Sequence, residues 1–161
     1  MTETQTPVRA AVTVAAPLEK AWRVYTADYG SWYPKDHFIG TGPAETVEIE
    51  PYAGGRWFER TPDGDELLWG RVLAWEPPHR LLLAWMVGGD WKTDPDPAHA
   101  SEVEIRFTAE GPDRTRVELE HRHLDRHGAG AASILAGVAD EEQGHPLYLR
   151  RFAAAVEAPG S

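Results

Sequence analysis

Residues 65–87 read DELLWGRVLAWEPPHRLLLAWMV, and their pattern decides the fold. Leu68, Gly70, Val72 and Ala74 alternate with Trp69, Arg71, Leu73 and Trp75. Period two marks a strand, because successive side chains of an extended chain point to opposite faces. Pro77 and Pro78 then remove two backbone donors and fix φ, so neither helix nor strand continues through them. Beyond the break, Leu81, Leu83 and Trp85 alternate with Leu82, Ala84 and Met86. The stretch is a β-hairpin. Both faces of its second arm are apolar, which predicts one face on the core and the other under a covering element or beside a cavity.

Further strands lie on either side. Upstream, residues 44–50 (AETVEIE) and 56–61 (RWFERT) read as strands, parted by a turn at 51–55 and closed by Pro62-Asp63-Gly64. Downstream, residues 88–100 (GGDWKTDPDPAHA) read as a long exposed loop, since Gly, Pro and Asp supply turns and resist regular pairing. Residues 101–109 (SEVEIRFTA) put Val103, Ile105 and Phe107 on one face and Glu102, Glu104 and Arg106 on the other. Residues 114–123 (RTRVELEHRH) place Val117, Leu119, His121 and His123 together. A first strand is expected at 8–14, with Val8, Ala10, Val12 and Val14 on one face.

Helices flank this series. Pro17 suits the first turn of a helix over 17–28, whose Leu18, Ala21, Trp22 and Tyr25 form one apolar stripe. Residues 29–34 (YGSWYP) suggest a short helix or turn, and 35–43 a loop. Residues 129–141 carry Ile134, Leu135 and Val138 on one side of a helix broken by Gly144. A last helix runs from Pro146 to about Ala158, with Leu149, Phe152, Ala155 and Val156 as its apolar face and Tyr148 alongside. Short turns from the second strand onward predict an antiparallel meander, and seven strands are too many to lie flat. The fold class is therefore α+β: a curled antiparallel sheet whose groove takes the last helix.

Composition narrows the function. The chain has 161 residues, enough for one domain with one substantial core, and residues 1–7 and 159–161 are expected to be flexible ends. A net charge of −10 repels phosphate backbones and anionic lipid, so neither nucleic acid nor membrane is an expected partner. The absence of cysteine removes disulfides, thiol catalysis and zinc–thiolate sites. The first residues, MTETQTP, lack the form of a signal peptide, and the expected location is the cytoplasm. The sequence has no nucleotide, hydrolase-elbow or zinc-protease motif, so no cofactor is expected. Gly54-Gly55 lacks the Lys-Ser/Thr of a phosphate loop. Seven tryptophans are many for this length, and large rings both build cores and line pockets.

Three stretches carry a family resemblance: GRVLAWEPPHRLLLAW (70–85), VEIRFTAEGPDRTRVELEH (103–121) and GHPLYLRRFAAAVE (144–157). Together they resemble the helix-grip fold of the START-like (SRPBCC) superfamily, in the branch related to the activator of Hsp90 ATPase. The likeness covers nearly the whole chain. It implies a hydrophobic cavity under the C-terminal helix. It implies no single function, since members bind lipids or polyketides, cyclise them, or assist chaperones. One departure is Gly144-His145, where the family often has Gly-Trp.

The candidate ligand-binding residues are Trp32, Trp57, Glu59, Trp69, Trp85, His121, Tyr148 and Phe152. The aromatics are candidates for a pocket wall, and equally for plain core filling. His121 continues the inward series of Val117 and Leu119, so it is expected to look into the cavity, where a neutral imidazole can bond a ligand or move a proton. The alternative is a buried histidine satisfied by a neighbour. Glu59 shares a face with Trp57, but its strand is equally mixed on both faces, which leaves its direction open. His121-x-His123 could hold a metal only with a third ligand such as Asp125 or His127, and no metal site is expected. The leading expectation is a module that binds a small hydrophobic or aromatic molecule between sheet and last helix. The alternatives are a polyketide cyclase/aromatase-like enzyme using the same cavity, with His121 or Glu59 as acid or base, and a co-chaperone-like interaction module. Catalysis and a homodimer are both left open by the sequence.

Overall fold

The computed structural model describes residues 7–34, 37, 39–40 and 42–158. The flexible ends expected at 1–7 and 159–161 therefore lie outside the described residues, apart from Pro7. The strands are β1 (Val8–Val14), β2 (Thr46–Ile49), β3 (Arg56–Arg60), β4 (Glu66–Glu76), β5 (Arg80–Trp85), β6 (Ser101–Gly111) and β7 (Arg114–Arg122). Two helices, α1 (Leu18–Thr26) and α2 (Tyr29–Trp32), follow β1, and two more, α3 (Ala131–Ala139) and α4 (His145–Glu157), close the chain. All seven strands join one antiparallel sheet in the order β1-β7-β6-β5-β4-β3-β2. The meander is as expected, with β1 returning to pair with the last strand. Among the described residues no helix is long and apolar enough to cross a membrane.

Leu149, Phe152 and Val156 of α4 are buried in one cluster with Val103, Ile105, Phe107, Val117 and Leu119 of β6 and β7. This is the helix-grip arrangement. The helix is fastened at both ends of its neighbours: Glu157 accepts the Ala15 backbone N–H at 2.8 Å, and Arg151 donates to the Trp32 carbonyl at 3.1 Å. Trp22, Tyr25, Trp32, Phe107 and Phe152 pack together with tilted to edge-to-face contacts at 5.1–5.6 Å, the geometry that ring quadrupoles favour.

The hairpin departs from strict alternation at two points. Trp57 pairs with Gly70 and Phe58 with Leu68, so Trp69 is an extra residue in β4. Val72 pairs with Leu83 and Ala74 with Leu82, so Leu73 is a second. Each bulge shifts the pleat by one residue. Strict alternation therefore does not hold along β4: Trp69, Val72 and Trp75 all join the core, while Leu68 packs on the outer face. Gly70 makes the first bulge possible, because a Cβ there would stand 1.7 Å from the Ala84 carbonyl oxygen.

The outer face of β5 is covered as expected. Ala84 and Met86 pack with Ala100 and Leu68. The 88–100 segment lies over them, tied by Asp94 N–H to the Met86 carbonyl at 2.7 Å and by the Thr93 hydroxyl to the Leu68 carbonyl. It is more ordered than an open loop: Val87 bridges to Thr93, and Asp96 caps a turn of 3-10 helix at Pro97–His99. Its tip meets the segment before α3 backbone to backbone. A Cβ on Gly89 would lie 2.6 Å from the Gly130 Cα. Trp91 likewise seats its ring on Gly137, where a Cβ would be 3.1 Å away.

Elsewhere the outer face is charged. Glu104 sits among Arg80, Arg106 and Arg122, whose guanidinium groups hold its carboxyl below the ordinary range against the opposing effect of burial. His123 does not share the inward face of β7. It leaves the sheet in the left-handed region at φ 62°, which turns the chain into 3-10 geometry over Leu124–Gly130.

Candidate functional site

An aromatic cleft of about 210 Å3 opens near the start of β4 and the end of β5, between the start of α4, the end of α3 and the residues Tyr33, His37 and Ile39. That is somewhat below the usual ligand-pocket range of about 300–1,000 Å3. Its walls include Tyr33, Trp69, Trp85 and Tyr148. Ile39, Trp91 and Gln143 shape its mouth. The bulge in β4 explains why the wall exists: it turns Trp69 inward beside Trp57, and the two rings meet edge to face at 5.8 Å. Below the cleft is a second, nearly filled space of about 10 Å3, bounded by Trp32, Trp57, Trp85, His145 and Tyr148 among others.

Polar groups converge on this aromatic shell. The Tyr148 hydroxyl and His37 Nδ1 are 2.8 Å apart. The Tyr33 ring lies tilted against Tyr148, with centroids 4.7 Å apart. Burial, and then the neighbouring Tyr148 and Tyr29 hydroxyls, push the Tyr33 phenol well above its ordinary value, so it stays protonated. Glu59 is fully buried on the inward face of β3. One carboxylate oxygen accepts from the Ile39 backbone N–H at 2.6 Å and from the Trp69 indole at 2.8 Å. Its other oxygen has no partner among the described residues. Glu59 thereby orients one wall of the cleft from behind.

A line of histidines runs beneath. His121 is fully buried, with Nε2 2.7 Å from the Ser101 hydroxyl and Nδ1 3.0 Å from His145 Nε2. The same hydroxyl is 2.7 Å from His127 Nε2. His145 Nδ1 has no partner among the described residues. Burial lowers all three imidazoles, that of His145 to about 4, and for His121 the nearby His145 and His127 add to the effect. All three are neutral near pH 7.

The eight sequence-derived residues fall into layers. Trp69, Trp85 and Tyr148 line the cleft. Trp32 and Trp57 bound the small inner space with two of the same residues. Glu59 and His121 stand one contact further back, and both ring nitrogens of His121 are occupied by protein groups. Phe152 borders neither space; it is fully buried against Tyr25 and Trp32. Sequence reasoning passed over Tyr33, His37, Ile39 and Trp91, which lie in segments without periodicity. It marked His145 only as a departure from Gly-Trp, and that signal was the useful one. His123 takes no part, and among the described residues no group of three or more His, Asp or Glu is placed to hold a metal ion.

Comparison with known proteins places this geometry. The family described as "Activator of Hsp90 ATPase homolog 1-like protein" matches residues 15–157. Among solved structures, the anthrahydroquino-γ-pyrone synthase Txn09 is 40% identical, with a TM-score of 0.67 over 97% of this chain and 99% of that one. The self-sacrificing resistance protein CalC from Micromonospora echinospora is 28% identical, with a TM-score of 0.66 over 96% and 97%. DynU16, from the dynemicin biosynthetic locus, shares the fold at 22% identity and a TM-score of 0.60, covering 94% of this chain and 47% of that one. A search of curated protein sequences finds no match. By the family match and the helix-grip sheet alike, the chain belongs to the activator of Hsp90 ATPase homolog 1-like family of the START-like (SRPBCC) superfamily.

Proposed function

We propose that the cleft binds a planar, hydroxyl-bearing aromatic molecule of the anthrahydroquinone type and closes an oxygen heterocycle on it. The observation that carries this reading is the hydrogen-bonded Tyr148–His37 pair, with the Tyr33 phenol packed beside it, on a cleft walled largely by indoles and aliphatic side chains. A container for purely apolar molecules has no use for three titratable groups at one mouth. The 40% identity to a γ-pyrone synthase over nearly the full length of both chains supports the reaction class.

Closing a pyrone ring forms one C–O bond from a phenolic hydroxyl to a side-chain carbonyl carbon, and water leaves. The phenol gives up one proton and the CH2 between the two carbonyls another as the ring C=C forms, and the departing ketone oxygen takes up both to leave as water. Trp69 and Trp85 hold the fused rings, which fixes the hydroxyl near the chain it attacks and replaces a search through rotamers by one bound geometry. Tyr148, backed by His37, is the donor at the ketone oxygen.

Quenching of tryptophan fluorescence tests binding. Wild type is expected to take 1,8-dihydroxyanthraquinone about tenfold more tightly than anthracene, the worth of one good hydrogen bond. Tyr148→Phe should erase that preference and keep anthracene bound. Equal affinities in wild type defeat the polar role, and no binding of either defeats the cleft. For turnover, a 1-hydroxyanthrahydroquinone with a 1,3-diketone side chain beside the hydroxyl should lose one water in mass spectrometry.

A further inference from the structure

The four-membered chain His127–Ser101–His121–His145 connects two different spaces. His127 is half-buried and borders a solvent-facing groove with Asp94, Gly130 and Ser133. His145, at the other end, borders the inner space beneath the cleft. Its members come from the segment after β7, from β6, from β7 and from α4. Each contact is a hydrogen bond of 2.7–3.0 Å, and the two middle groups are fully buried.

We propose that these residues form a proton relay between the groove and the inner space, with His145 as its inner terminus, exchanging a proton with a ligand in the cleft through the single water-sized position that the inner space of about 10 Å3 provides. That last step rests on the ligand reading above.

The proton count fixes how such a relay works. Ser101 has one proton, and the two imidazoles are its hydroxyl's hydrogen-bond partners, so a fully satisfied hydroxyl donates to one and accepts from the other. Between His121 Nδ1 and His145 Nε2 one nitrogen donates and one accepts. All the bonds must therefore point the same way. In the first polarity His127 Nε2–H donates to Ser101, Ser101 to His121 Nε2, and His121 Nδ1–H to His145 Nε2. His145 then carries its other proton on Nδ1, as a donor. In the second polarity every bond is reversed, and His145 Nδ1 is a bare lone pair, a base.

Switching polarity moves one proton end to end. When His145 Nδ1–H gives up its proton toward the cleft through the inner space, each group behind it passes one forward, and His127 Nδ1 takes one from solvent. The reverse sequence accepts a proton from a ligand hydroxyl and releases one to the groove. A ring closure that first takes a proton from a phenol and later returns one to an oxygen uses the two polarities in turn and leaves the relay as it began. No ion is left buried in either resting state, which matters because an unpaired charge there would be costly. Ser101, His121 and His127 are relay residues and touch no ligand.

The groups facing His127 are Asp94 and His99 from the 88–100 segment and Ser101 and His121 from the sheet; Asp94 favours its protonation, and His99 opposes it. Protonated His127 can only donate to Ser101. Protonation at the groove therefore forces the first polarity and puts a proton on Nδ1 of His145, three hydrogen bonds away. Imidazole 15N NMR of the full chain reads this directly. In wild type the His145 Nδ1 resonance is expected to shift from an averaged position to the protonated extreme as His127 titrates. In Ser101→Ala, and in the less buried His127→Gln, it should hold one position over the same range. A wild-type His145 resonance that ignores His127 overturns the relay. A second arm adds 1,8-dihydroxyanthraquinone: bound probe should move the His145 Nδ1 resonance in wild type. Bound probe that leaves it unmoved overturns the role of His145 at the ligand while the cleft stands. Failure of the probe to bind defeats the ligand reading, and with it that role, whatever the titration shows.

Discussion

Lowering the pH from 7 to 5 should destabilise the protein through its buried imidazoles. His145 is held at about 4 when folded, against an ordinary value of 6.5. Between those limits the unfolded chain binds a proton that the folded chain refuses, so stability falls as the pH falls. Above 6.5 neither state binds it and the effect vanishes; below about 4 both do, and the loss stops growing. Linkage then gives a loss of about 2 kcal/mol at pH 5 and about 3.4 kcal/mol at full development from His145 alone. His121, also pushed well below its ordinary value by burial, adds in the same direction. His99 works oppositely, being raised by Asp94 and Asp96, but it is exposed and its effect is screened. The carboxyls held low, Glu50, Glu66, Asp94 and Glu104, surrender their contributions only as the pH drops past ordinary values of 4.5 and 3.8. The window from 6.5 to 5 therefore isolates the histidines. Urea unfolding at constant ionic strength, followed by tryptophan fluorescence at pH 7.5, 6.5, 5.5 and 5.0, measures the slope. His145→Phe should reduce it markedly, at a cost of about 1–3 kcal/mol at pH 7 for leaving His121 Nδ1 unpaired. A midpoint constant from pH 7 to 5, or an undiminished slope in the variant, would refute the reasoning.

Three other substitutions have separable outcomes. Gly70→Ala drives a methyl into the Ala84 carbonyl, so β5 must move or the bulge must open; a loss of about 3 kcal/mol or more in denaturant unfolding is expected, and an unchanged midpoint contradicts the bulge. Trp85→Ala removes a ring that touches Trp57 and His121 and donates to the Val87 carbonyl, and should cost about 3–5 kcal/mol by the same assay. A loss under about 1 kcal/mol would mean that the ring lies outside the core. Trp91→Ala, at a position 42% exposed, should change stability by less than about 1 kcal/mol yet alter the affinity for 1,8-dihydroxyanthraquinone; unchanged affinity would remove Trp91 from the mouth.

The hairpin, the meander and the gripping helix were legible because each rests on local periodicity. Side chains at 103, 105 and 107, or at 149, 152 and 156, declare their face by spacing alone. The ends of β4 did not, because a bulge is a backbone event that leaves no side-chain mark beyond Gly70. Glu59 was undecidable for a related reason: both faces of β3 are buried at its centre, since Phe58 packs under the Arg56 and Arg60 guanidiniums. The cleft was half legible. Its strand-borne wall could be named, whereas His37, Ile39, Trp91 and Gln143 arrive on connections whose course depends on the finished fold. The histidine relay spans positions 101 to 145 on four segments, and only the tertiary structure brings Ser101 between two rings.

The backbone contact of Gly89 with Gly130 has a consequence for how this protein could change. The segment bearing Trp91 is docked by main-chain atoms and by the Thr93 hydroxyl, so it depends little on which side chain residue 91 presents to the cleft. The indoles that hold the sheet together, Trp57 and Trp85, cannot be exchanged so freely. Selection for a different ligand thus has a position to act on that is nearly uncoupled from foldedness. A library confined to residues 39, 91 and 143 should yield mostly folded proteins with diverging preferences, whereas one spread over the strand-borne indoles should yield mostly unfolded ones.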